Sequence, residues 1–119
     1  MTLEAVLLLP VVLVTIMAVV QVALFAHASG LADAAAREGA RALRLSGDRE
    51  IGRERATTFL ERHGAEIVLD PAVEAESRGG TASVEVSGHA VTLLPGVSFP
   101  VRGHSSGPVE RFSPAGVAP

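Results

Sequence analysis

A chain of 119 residues has room for one small domain, and its apolarity is of an unusual kind, since 48% of residues are hydrophobic but only 3% are aromatic. Ala, Val and Leu gathered near the N-terminus supply it, which is a membrane signature more than that of a rich globular core. A net charge of −3 with acids and bases interspersed offers no basic stripe for nucleic acid, and the absence of Cys excludes disulfides, thiolate metal sites and Cys nucleophiles.

The first predicted element is a long apolar helix. Glu4 is the only charged side chain before Asp33, and behind it Ala5–Ala26 form a run of 22 residues whose only polar members are Thr15 and Gln21. The 14 Val, Leu, Ile and Phe residues of that run favour insertion by roughly 0.3–0.6 kcal/mol each, about 4–8 kcal/mol together. A carboxylate at the end of such a helix costs less than the ~3 kcal/mol it would cost at the centre, so Glu4 does not prevent insertion. As a helix the run is about 33 Å long, enough to cross a hydrocarbon core. Pro10 removes one backbone donor and introduces a slight kink that membrane helices tolerate. A cleaved secretory signal is the rival reading, because Ala26-His27-Ala28 has the small-x-small pattern. Against it, no Arg or Lys precedes the run, and the run exceeds the length of a signal core.

The helical pattern continues through SGLADAAAREGARALRLSGD. Ala28, Ala32, Ala35, Ala36, Gly39 and Leu43 share one face at helical spacing. Asp33 with Arg37, and Glu38 with Arg41, are spaced to pair along the flank. One helix over residues 3–45 is therefore expected, about 60 Å long, half in lipid and half outside. The stripe containing Ala32, Ala35, Ala36 and Gly39 is a helix-packing surface. It admits another backbone closely, or it packs on the chain's own domain. Arg37, Glu38 and Arg41 are candidate contacts for partner subunits, and equally an ordinary solvated face.

Ser46-Gly47-Asp48 ends this helix, with Asp48 as N-cap of a second helix over residues 49–63 that presents Gly52, Ala56, Phe59 and Leu60 on one face. Gly64 is placed to stop it. The period then changes. Ala65–Leu69 reads as a short strand bounded by Asp70-Pro71. AVEAESR, Gly79-Gly80 and TASVEVSGHAV form a hairpin in which Ala82, Val84 and Val86 alternate with Ser83, Glu85 and Ser87. Leu93–Gly96 is a turn, and VSFPVRG is a further strand whose Pro100 favours a sheet edge. The fold class is α+β: a long N-terminal helix, a short second helix and a three- or four-stranded antiparallel sheet.

TLEAVLLLPVVL, then AAAREGARAL, then the terminal PVERF resemble the TadE-like family, pseudopilins of the tight adherence (Flp pilus) machinery. The resemblance implies a pilin-like α+β protein with a transmembrane segment over residues 1–28, an extracytoplasmic domain over 29–112 and a flexible tail over 113–119. It implies a single-pass protein of the cell membrane that assists assembly of a pilus or related secretion apparatus. Its partners would be membrane lipid, other pilus or pseudopilin subunits, the Tad assembly machinery and a prepilin peptidase. Glu4 matches the glutamate that precedes the apolar helix in prepilin-type proteins, where it meets the amino-terminal ammonium of a neighbouring subunit and guides insertion into the assembly. Prepilins carry a short basic leader ending in Gly, and the sequence here begins at Met1; an upstream start codon or an unprocessed copy is expected.

The remaining residues point to no catalysis. His27, His63, His89 and His104 lack ligand spacing, Glu74, Glu76 and Glu85 read as a solvated strand face, and no Ser sits in a nucleophile elbow. No enzyme activity, metal or cofactor is expected. The alternative to an assembly protein is a membrane-tethered extracytoplasmic module that binds an envelope ligand unrelated to pili.

Overall fold

The computed structural model describes residues 2–94 and 96–109. Five elements follow one another: α1 (Thr2–Ser46), α2 (Arg49–His63), β1 (Val68–Arg78), β2 (Thr81–Ala90) and β3 (Phe99–Pro108). The strands form one antiparallel sheet in the order β1-β2-β3. The α+β class and the chain order of helices and strands are those expected from the sequence. Pro95 of the expected turn, Glu110–Phe112 of PVERF and the tail over 113–119 lie outside the described residues.

α1 runs unbroken through Pro10. Two features let it continue past the apolar run: Ala is the best helix former, and no second Pro follows. From Ala28 onward its small-residue stripe lies against the sheet, and Ala28, Ala32, Ala35, Ala36 and Leu43 are fully buried. The central strand β2 answers with Ala82, Val84 and Val86, buried in strict alternation with partly exposed Ser83, Glu85 and Ser87. α2 joins this core through Ala56 and Leu60. Its N-terminus is capped as expected, the Asp48 carboxylate accepting from the Glu50 N–H at 2.9 Å.

Glycines set how closely these elements approach. A Cβ on Gly39 would stand 2.8 Å from the Gly52 carbonyl oxygen, and one on Gly52 would stand 3.0 Å from the Gly39 carbonyl oxygen. The two helices therefore touch backbone to backbone where each lacks a side chain. On β3, a Cβ at Gly103 would overlap the Ala32 backbone, so the strand lies directly on α1.

Three details differ from the sequence expectation. First, the segment expected as a strand over Ala65–Leu69 is a turn as far as Ile67, and β1 runs from Val68 straight through Asp70-Pro71. The pairing slips between Leu69 and Ala72, and Asp70 takes a positive φ of 49°. This is a bulge on an edge strand, where Pro is tolerated because no ladder bond is lost. Second, Gly64 ends α2 at φ −149° and not in the left-handed conformation; a Cβ there would stand 2.8 Å from the Leu31 Cδ1 methyl, which packs against the helix end. Third, Glu38 pairs with Arg55 of α2 at 3.4 Å, and among the described residues neither Asp33–Arg37 nor Glu38–Arg41 forms an ion pair. The α1–α2 contact brings Arg55 within reach of Glu38, and an exposed pair of this kind adds at most about 1 kcal/mol.

Candidate functional site

The candidate residues divide between the two ends of α1. At its start, Glu4 is exposed in the first turn. Every residue from Thr2 to Val20 is exposed, 19 in a row, and apart from Glu4 none is charged. Large apolar side chains point outward all round: Leu7, Val11, Val14 and Val19 are each more than half exposed. No element of the described chain covers this length. α1 is thus long and apolar enough to cross a membrane, and its apolar window is almost entirely unburied within the molecule. A helix apolar on every side has no amphipathic face to lay on a domain of its own.

At the other end, Ala32, Ala35, Ala36 and Gly39 are buried between α1, the sheet and α2. The stripe is occupied by the chain's own domain. Arg37 and Arg41 point to solvent, and Glu38 is half-buried beneath its pair with Arg55. The structure does not bring Glu4 near this group; more than twenty-five helical residues separate them.

Between the two ends lies a residue whose role the sequence did not disclose. Gln21 is the buried polar side chain of the described core, 7% exposed. Its Nε2 donates to the Val91 carbonyl at 3.1 Å and its Oε1 accepts from the Leu93 N–H at 2.9 Å. The amide thereby holds the β2–β3 connection against α1. One signal was available, since a lone Gln within an apolar run must find partners for its amide wherever water is absent.

The outer face of the sheet carries Glu74, Glu85 and His104 as neighbours in register across the three strands. Glu74 and His104 are solvent-exposed and Glu85 is partly so. Among the described residues no group of three His, Asp or Glu side chains is placed to hold a metal ion. The long helix, not a cleft, is the chain's distinguishing feature.

Comparison with curated proteins and with solved structures gives no match. Residues 1–41 match the family model described as TadE-like protein, the stretch that holds Glu4, the bare helix and the small-residue stripe, and this match supports the resemblance read from the residues and the assignment of the chain to the TadE-like family.

Proposed function

We propose that the protein is a minor pilin or pseudopilin, a non-enzymatic membrane protein that assists assembly of a tight adherence pilus or a related secretion apparatus. The observation that carries this reading is the uncovered apolar helix from Thr2 to Val20, with a single carboxylate in its first turn, inside the segment that matches the TadE-like family. The helix anchors the chain once in the cell membrane, and the domain built on residues beyond it stands outside the cytoplasm. Within lipid, the Glu4 carboxylate is costly alone and far less costly opposite a cation. The amino-terminal ammonium of an adjacent subunit supplies such a cation, and the first turn of a helix suits the negative charge. Arg37 and Arg41, exposed at the far end of α1 beyond the apolar run, are offered to partner subunits of the Tad machinery.

A photo-crosslinking side chain at Val12, in membranes of the native host, tests this reading. The expected adduct is a second pilin-type subunit, identified by mass, and Glu4→Gln is expected to abolish it while the chain remains in the membrane fraction. Adducts with lipid alone in the Glu4 chain would contradict an assembly role and leave a tethered module that binds some other envelope ligand. Adducts that persist unchanged in Glu4→Gln would contradict the role given to the carboxylate.

A further inference from the structure

The β2–β3 connection is unusual in two respects. Ala90–Val101 contains no charged residue, 12 in succession in a chain that is 19% charged overall. It also leaves Leu93, Leu94 and Val97 exposed, at 47%, 39% and 40%. An exposed apolar loop on a water-facing domain costs solubility, and three such side chains on one short connection form a patch rather than scattered exceptions.

The position of the patch explains it. β2 runs back toward the membrane end of α1, so the connection lies at the base of the sheet, opposite the Gly79-Gly80 turn at its far end. Gln21 fixes it there through its hydrogen bonds to Val91 and Leu93. The loop abuts the top of the bare helix, where Leu94 and Phe99 share an apolar cleft with Met17, Val22 and Phe25. Along α1, Gln21 stands about 26 Å above Glu4 at 1.5 Å per residue. With Glu4 at one face of a hydrocarbon core about 30 Å thick, Gln21 and the loop it holds stand at the other. On α1 the next charge is Asp33, about 18 Å further on. Off α1, the charges nearest the connection are the exposed Glu66, next to the Ile67 whose carbonyl accepts from the Val91 N–H, then Asp70 in the bulge opposite Gly88 and Arg102 opposite Ser87.

We infer that the β2–β3 connection is a second membrane contact: Leu93, Leu94 and Val97 enter the interfacial layer of the lipid beside α1, with Gln21 as the clamp that positions them. This inference rests on the reading of α1 as a membrane-spanning helix. The occupant of the patch is lipid because Leu94 lines one apolar cleft with the helix residues Val14, Met17 and Val22, at the upper end of the bare helix. Contact at two points fixes the tilt and rotation of the domain on the bilayer, where a single helix would leave it free to swivel.

The chain contains no Trp and no Tyr, so one introduced indole reports without background. The full chain carrying Leu93→Trp, Val14→Trp or Glu76→Trp is reconstituted into vesicles of phosphatidylethanolamine and phosphatidylglycerol. Their acyl chains are brominated either close to the ester or at mid-chain. Val14→Trp is expected to be quenched by mid-chain bromine, Leu93→Trp by bromine near the ester with a blue-shifted emission, and Glu76→Trp by neither. Quenched Val14→Trp beside unquenched Leu93→Trp would overturn this inference and leave the spanning helix intact. Unquenched Val14→Trp would overturn the spanning reading, and the inference with it.

Discussion

Gln21 shows how far one side chain can matter in a chain of small residues. Its partners are 70 and 72 residues away in sequence, and both are backbone groups of a connection with few other ties. Replacing it by Leu keeps the volume and apolarity of the run but leaves the Val91 carbonyl and the Leu93 N–H unpaired. The expected cost is about 1–3 kcal/mol, confined to the docking of the connection. Amide hydrogen exchange is the measurement: Leu93 is expected to exchange faster in Gln21→Leu, while amides of β2 keep their protection. Unchanged exchange at Leu93 would show that the connection stays in place without the clamp. A polar residue in an apolar run is easy to see in the sequence; which backbone it serves is not, because the run carries no trace of a loop folded back from the far end of the chain. Glu4 is the opposite case. Its isolation from every other charge up to Asp33 is visible in the sequence itself.

At the scale of elements, the core is built by close approach rather than by large side chains. Leu43 and Leu60 are among its largest buried residues, and among the described residues no aromatic side chain is fully buried. Cohesion then depends on backbones meeting, at Gly39 against Gly52 and at Gly103 against Ala32. Gly103→Ala adds one methyl group where the Ala32 backbone already stands, and overpacking of this kind typically costs about 1–3 kcal/mol. The midpoint of thermal unfolding is expected to fall, while His104→Ala, one residue on and exposed to solvent, is expected to change it little. Equal effects of the two would show that β3 does not bear on α1 as described. Much of this layer was legible. The alternation of Ala82, Val84 and Val86, the Gly79-Gly80 turn and the Asp48 cap each rest on local chemistry that the sequence states directly. The passage of β1 through Asp70-Pro71 was not legible, because those residues end most strands and only the edge position excuses them. The small-residue stripe was visible at its helical spacing, but spacing alone did not say which backbone would meet it. Gly103, which receives Ala32, gave no signal beyond being a glycine in a strand.

The whole molecule is a rod, 81 × 25 × 22 Å, in which one helix is bare along its first part and buried along its second. Its first part is exposed along its whole length, touched by the domain only near its upper end, and its second part is the spine of a small domain. The division falls at Gln21, short of the end of the apolar run at Ala26, because the domain's base overlaps the top of the run. Hydropathy marks the run but not the overlap, since the residues from Val22 to Ala26 are apolar whether lipid or a loop lies beside them. The central claim, that the bare helix spans a membrane with the domain outside the cytoplasm, is open to one direct measurement. The chain has no Cys, so Ser106→Cys on the exposed side of β3 and Val12→Cys within the bare helix each give a unique thiol in native-host cells. A membrane-impermeant maleimide applied to intact cells is expected to label Ser106→Cys and not Val12→Cys, with both chains in the membrane fraction. Labelling of Ser106→Cys only after the membrane is permeabilised would place the domain on the cytoplasmic side and contradict the orientation, and recovery of either chain in the soluble fraction would contradict the span itself.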